Sequence, residues 1–398
     1  MNLVVVGHKD HGKSTLIGRI LYDTNSLPKE KIDEIKQRCK ALGRKLEFAY
    51  ICDALEEERK KEMTIDATQV CFRSRKRKYT IIDTPGHIEF LRNMITGATQ
   101  AEAAILIVDV KDGIKEQTKR HVYLLKLLGI RQVIIAVNKM DLVEYRKVFF
   151  DRVKEDVQNY LDEIGLKANK IIPISAYYGE NVVRSSKRMK WFNDVPLIKA
   201  LDSLNEKRKD YCFRFCIQDV YTAQEKKIYV GNVISGEVKK GDKVKISPGD
   251  LEAKVVEIVD GNKKINVAKR PHAIGIVLHP ELSMGRGFVM YKGCKPKITK
   301  SIETVIFSLE KITSNKDYLF CCSTQEILCK VRVKKKINPI SLKIEASSEL
   351  KRNEIGEVEL KLKKEAIVEN FENVPELGRF VLKEHGKIVA GGTIRSLS

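Results

Sequence analysis

The chain has 398 residues and a formal charge of +21, from 74 Lys and Arg against 53 Asp and Glu. That length suits two or three domains with sizeable cores, and 43% apolar residues exclude bulk disorder. No stretch approaches the ~20 apolar residues that span a bilayer; the excess of cations fits either a phosphate-rich partner or a Lys/Glu-rich surface of paired charges.

The first apolar run, residues 3–6, begins too close to Met1 to be the core of a leader. A cytoplasmic protein without a membrane partner is expected. The nine cysteines are odd in number, form no CxxC pair and have no histidine at zinc spacing. They are expected to be buried free thiols rather than a disulfide framework or a zinc site.

Short β-branched runs at 3–6, 80–82, 104–108, 133–137 and 171–174 alternate with helical patterns such as 118–128 and 148–164. This alternation predicts a doubly wound, mostly parallel α/β sheet over residues 1–205. From about Lys207 the texture changes to short alternating strands such as Phe213-Arg214-Phe215-Cys216-Ile217. Turn signals such as Ser235-Gly236 and Pro248-Gly249-Asp250 separate them. That reads as two β-barrels, divided at the linker near residue 295 into 206–295 and 296–398.

Gly7-His8-Lys9-Asp10-His11-Gly12-Lys13-Ser14, followed by Thr15, fits the G-x-x-x-x-G-K-[ST] phosphate loop between the first strand and a helix. Its backbone N–H groups face phosphate oxygens, Lys13 reaches the β- and γ-phosphates, and the Ser14 hydroxyl reaches Mg²⁺. Asp83-Thr84-Pro85-Gly86 ends the next apolar strand. The Asp83 carboxylate there suits the Mg²⁺ shell through water, and the Gly86 N–H suits the γ-phosphate. Thr64, between these two motifs, is the natural hydroxyl to complete the Mg²⁺ shell when the γ-phosphate is present.

Asn138-Lys139-Met140-Asp141 follows the strand at 133–137. Asp141 can accept two N–H bonds from the N1 and N2 edge of guanine, which adenine does not offer. Ser175-Ala176-Tyr177 follows the next strand and can supply a backbone N–H to guanine O6. Each motif stands at a strand's carboxyl end, where open α/β sheets bind ligands. The expected nucleotide is GTP or GDP with Mg²⁺.

The set GHxDHGKST, TID, DTPGH, NKMD and SA ahead of two β-barrels resembles the translation-factor GTPases, across essentially the whole chain. The resemblance implies that His87 orients the attacking water. The family has valine at the position of Lys9 and glycine at that of Glu62. Lys9 is therefore read in three ways: an open gate with Lys9 as a cation over the γ-phosphoryl group, slow hydrolysis, or a solvated side chain.

Within that family, residues 14–23, Gln117-Thr118-Lys119-Arg120-His121 and Met189-Lys190-Trp191-Phe192 resemble the GTPase large subunit of ATP sulfurylase. This implies a GTPase coupled to adenylyl-sulfate formation in a small adenylyltransferase subunit, as a heterodimer. The alternative is an elongation factor 1 alpha type GTPase with aminoacyl-tRNA and the ribosome as partners, which the basic charge favours.

Two basic runs remain. Arg73-Ser74-Arg75-Lys76-Arg77-Lys78 separates two strand-like segments and reads as a hairpin tip, either solvated or in contact with a phosphate backbone or an acidic partner. Lys330-Val331-Arg332-Val333-Lys334-Lys335-Lys336 alternates and reads as the wet face of a barrel strand.

Overall fold

The computed structural model describes residues 1–27, 30, 32–34, 37, 48, 50–51, 68–83, 101–205, 211–223, 226–261, 263–270 and 272–394, apart from the side chains of Thr68, Gln69 and Asp83. Thr64, Gly86 and His87 lie outside these residues. The chain divides into two units, residues 1–206 and 207–398.

The first unit is built on β1 (Asn2–Gly7), β2 (Thr68–Arg73), β3 (Lys78–Asp83), β4 (Ala103–Asp109), β5 (Gln132–Asn138) and β6 (Lys170–Pro173). The sheet order is β2-β3-β1-β4-β5-β6. Only β2 runs antiparallel to its neighbour; the other pairings are parallel. Every residue of β4 is buried, which is why this strand reads as an unbroken apolar run rather than an alternating one. Helices α1 (Lys13–Asp23), α2 (Glu116–Leu127), α3 (Lys147–Glu163) and α4 (Leu197–Asp202) complete the layers. In α3, Phe150, Val153, Val157, Tyr160 and Leu161 form the buried stripe, at the spacing a 3.6-residue turn requires.

Strand β1 lies between β3 and β4, so the chain order reverses beside it. A crevice opens at such a point outside the carboxyl ends of the strands. Gly7, Asp83, Asp109 and Asn138 are the last residues of β1, β3, β4 and β5.

The second unit holds two six-stranded antiparallel barrels. One uses Phe213–Ala223, Lys226–Ser235, Lys243–Ser247, Leu251–Asp260, His272–His279 and Val289–Lys292, and closes where Lys243–Ser247 pairs with Leu251–Asp260. The other uses Lys297–Ser308, Asp317–Cys322, Gln325–Ile337, Ile355–Val368, Arg379–Glu384 and Lys387–Thr393, and closes where Asp317–Cys322 pairs with Gln325–Ile337. A short strand extends each sheet beyond the closed barrel, Lys263–Ile265 on the first and Ile344–Ala346 on the second.

Between the two barrels, Cys216, Ile234, Val289, Ile367, Val374 and Leu377 form a small apolar seam. Beside it Arg214, fully buried, donates Nε and Nη2 to Glu369 Oε1 at 2.8 and 2.5 Å.

The expectation of free thiols throughout is corrected at one place. Cys212 and Cys294 form a disulfide. Phe213 and Lys292 are register partners in adjacent antiparallel strands, so the residues just beyond them converge, with Cα atoms 5.9 Å apart. That separation suits a disulfide, and its 82-residue span in sequence hid the pairing. Cys71, Cys216, Cys321, Cys322 and Cys329 are free. Burial raises the Cys216 thiol to about 12, so it stays protonated and inert.

Candidate functional site

The phosphate loop begins at Gly7 and turns into α1 at Gly12, which caps the helix in a left-handed conformation with φ 94°. Neither glycine tolerates a side chain. A Cβ at Gly7 would lie 2.5 Å from Ile107 O, and one at Gly12 would lie 2.5 Å from Asn138 Nδ2. No side chain caps α1, and a helix N-terminus at the end of such a loop is the arrangement that suits a phosphate. Lys13 folds back and donates Nζ to Gly7 O at 3.0 Å and His8 O at 2.9 Å. This holds the ammonium across the mouth of the loop. Ser14 and Thr15 follow on the first turn of α1, both half-buried.

Asn138 is 2% exposed. It donates Nδ2 to His11 O at 2.9 Å and accepts the Ala176 N–H at Oδ1, also at 2.9 Å. One carboxamide thus braces the phosphate loop against the Ser175-Ala176-Tyr177 loop. Within the segment expected to supply an N–H to guanine O6, the Ala176 N–H is directed at Asn138. Asp141 stands in the 3-10 turn Met140–Val143, and its Oδ1 accepts the Ser175 hydroxyl at 2.6 Å. A buried serine therefore aims the carboxylate expected to read guanine. Tyr177 and Tyr178 lie edge to face at 4.9 Å and are exposed beside this loop.

Asp109 carries no role in the sequence reading, yet it organises the same edge. Its Oδ2 lies 2.7 Å from Lys139 Nζ, and its Oδ1 accepts the Lys111 N–H at 2.8 Å. Burial pushes this carboxyl up, but the bonds from Lys139, Lys111 and Asp112 and the Lys139 charge outweigh it, holding the group below the usual carboxylate range. An ionised Asp109 fixes Lys139, which adopts φ 63° at the start of the turn that carries Asp141. The sequence signal for it was available: a carboxylate ending an apolar strand at the same sheet edge as Asn138.

His8 bonds through Nδ1 to Gln117 Oε1, and its ring meets that of His11 edge to face at 5.2 Å. His11 is 1% exposed and accepts the Asp109 N–H at Nδ1, 3.3 Å away. Nδ1 also lies 3.5 Å from Ile107 O, and Nε2 lies 3.5 Å from Asp112 Oδ2. Burial lowers the His11 pKa below its ordinary 6.5, against the pull of Ile107 O, Asp109 and Asp112. Lys9 and Asp10 are exposed, Asp10 with φ 64°. Among the described residues Lys9 makes no ion pair.

The structure thus brings together Gly7, His8, His11, Gly12, Lys13, Asn138, Lys139, Asp141, Ser175 and Ala176 at one sheet edge. Asp83 ends β3, next to β1.

Two family models match the chain: the elongation factor Tu GTP binding domain over residues 1–209, and the GTP-eEF1A C-terminal domain-like family over residues 301–395. The chain is 37% identical to "Elongation factor 1-alpha" of Methanosarcina barkeri, over 100% of this chain and 98% of that protein. It is 35% identical to the protein of the same name from Archaeoglobus fulgidus, with the same coverage. The protein of that name from Methanothermobacter thermautotrophicus is 35% identical over 98% of this chain and 96% of its own.

These likenesses overturn the expected role as the GTPase subunit of sulfate adenylyltransferase, together with its small-subunit partner. The helix and loop segments that suggested it are short, whereas the elongation factor likeness runs the length of the chain. With its nucleotide-binding edge, its two barrels and these relatives, the chain belongs to the GTPase family of elongation factor Tu and elongation factor 1-alpha.

Proposed function

We propose that this chain is a GTP-driven carrier of the elongation factor 1-alpha type, which brings aminoacyl-tRNA to the ribosome in the cytoplasm. The observation that carries the proposal is its likeness to curated elongation factors 1-alpha from end to end, at 37% identity for the Methanosarcina barkeri protein. Residues 1–205 form the motor, and 206–295 and 296–398 the two barrels that follow its state.

In this reading the phosphates of GTP lie on the N–H groups of the loop from Gly7 to Ser14, with Lys13 on the β- and γ-phosphates. Guanine is selected by Asp141, held by Ser175. The donors Ser14, Thr64 and Asp83 are all oxygens, the set a hard cation such as Mg²⁺ prefers. Ser14 stands half-buried on the first turn of α1, directly after the loop that would hold the phosphates. Bound there, Mg²⁺ neutralises the charge on the β- and γ-phosphates. The Gly86 N–H and the Thr64 hydroxyl respond to the γ-phosphate, and His87 orients the water that attacks it.

The test is to measure binding of a charged tRNA to the purified chain with a non-hydrolysable GTP analogue and with GDP. Affinity at least tenfold higher in the GTP state is expected. Equal affinity in both states overturns the carrier reading and leaves the GTPase assignment intact.

A further inference from the structure

The chain's two basic runs have opposite fates in the fold. On the barrel strand Gln325–Ile337, buried and exposed residues alternate up to Val333, and the outward cations meet acids on neighbouring strands. Arg332 faces Glu359 at 3.9 Å, Lys335 faces Glu357 at 3.6 Å and Lys336 faces Glu354 at 2.8 Å. That run is largely neutralised where it stands.

The hairpin between β2 and β3 is not. Its inner face is apolar: Phe72 and Tyr79 are buried and stacked at 4.8 Å. Its tip is tied to the end of α4 through Asp202. The carboxylate Oδ1 accepts the Tyr79 hydroxyl and meets Ser74 Oγ, both at 2.7 Å. Asp202 O accepts Lys76 Nζ at 2.8 Å and Arg77 Nη2 at 3.2 Å. Ser74 Oγ also accepts the N–H groups of Lys76 and Arg77 at 3.0 and 3.1 Å. Lys76 and Arg77 thus serve the turn itself.

Arg73, Arg75 and Lys78 are left exposed. Arg73 and Lys78 are register partners on one face of the ladder. Like charges placed opposite each other destabilise a sheet. Among the described residues no carboxylate forms an ion pair with any of the three. The hairpin therefore holds three cations on a rigid support, two of them repelling each other. An anion between them relieves that repulsion, and guanidinium forks match phosphate oxygens.

We propose that Arg73, Arg75 and Lys78 form a contact for the phosphate backbone of RNA, separate from the nucleotide site. The hairpin that carries them is anchored by Asp202 before binding, and the contact reads no sequence.

The experiment measures binding of the full chain to a fluorescent RNA stem-loop of mixed sequence, without aminoacyl-tRNA, over a range of salt. Three proteins are compared: wild type, Arg73→Gln/Arg75→Gln/Lys78→Gln, and the charge-matched Arg332→Gln/Lys335→Gln/Lys336→Gln. Each lost phosphate contact lowers the salt slope by about one. The hairpin variant is expected to bind at least tenfold more weakly, with a slope lower by about three; the barrel variant should match wild type. GDP affinity checks that each variant is folded, and Arg75→Gln alone, at the exposed tip, should lower the slope by about one. Equal losses in the two triple variants, or none in either, overturn the proposal by reducing it to net charge or to nothing. A hairpin variant that loses binding to polyglutamate but keeps RNA binding overturns it in favour of an acidic protein partner.

Discussion

Ser175 donates its hydroxyl to Asp141 Oδ1 at 2.6 Å across 34 residues of sequence. The fully buried serine thereby holds the half-exposed carboxylate proposed to read guanine. Hydrogen bonds to charged groups contribute roughly 1.5–3 kcal/mol, so Ser175→Ala should weaken GDP and GTP alike by about tenfold or more. Asp141→Asn should move preference from guanine toward xanthine nucleotides, because a carboxamide can donate to the extra xanthine oxygen. Titration with fluorescent guanine and xanthine diphosphates checks both. Unchanged affinity in Ser175→Ala would remove the serine from base recognition.

Asn138 satisfies His11 O and the Ala176 N–H together. Asn138→Ala leaves two buried backbone groups without partners, at about 1–3 kcal/mol each. The first unit should unfold at lower denaturant, and nucleotide should dissociate faster. Asn138→Asp keeps the acceptor for Ala176 but loses the donor to His11 O, so its effect should be intermediate. Equilibrium unfolding and nucleotide off-rates measure this; a wild-type midpoint for Asn138→Ala contradicts the bracing role.

The buried imidazole of His11 predicts a pH dependence. Its folded pKa lies below the ordinary 6.5, so the unfolded chain takes up the proton first. The stability contributed by the neutral ring is fully present above about 6.5 and is lost as pH falls below it, at no more than about 1.4 kcal/mol per unit. The first unit's melting temperature should therefore drop between pH 7 and 5.5 more steeply in wild type than in His11→Gln. Parallel curves for the two proteins would refute this.

Glu369→Leu strands the buried Arg214 charge. Breaking a buried pair from one side costs about 3–5 kcal/mol, whereas replacing both partners with apolar groups is often neutral. The second unit of Glu369→Leu should unfold at markedly lower denaturant, and Arg214→Met/Glu369→Leu should recover most of the loss. Denaturation of the full chain followed by tyrosine fluorescence gives the comparison. A single variant as stable as wild type would show that the pair contributes little.

His87→Ala should keep GTP affinity and lower hydrolysis by ~10² or more, the usual loss when a water-positioning group is removed. Lys9→Val should lower the intrinsic rate and slightly weaken GTP binding, because a cation beside the γ-phosphate stabilises charge in transfer. Single-turnover hydrolysis without partners measures both. If Lys9→Val leaves rate and affinity unchanged, the exposed ammonium is only solvated.

The sequence by itself determined the strand pattern and the loop motifs of the family. Residues 103–108 form an apolar run because a parallel strand is covered on both faces, and residues 325–333 alternate because a barrel wall is covered on one. The phosphate loop and the Asn138 and Asp141 motif are legible because their chemistry lies in a few adjacent residues. Asn138 bridging two loops, Lys139 on Asp109, Arg214 on Glu369 and Cys212 bonded to Cys294 were not legible. Their partners are 30 to 155 residues apart, and only strand order and register bring them together. The same holds for charge. The two basic runs look alike in sequence, but acids across neighbouring strands neutralise one, while Asp202 anchors the other and leaves three of its cations facing solvent. Composition counts charges, and tertiary structure decides which of them already have partners.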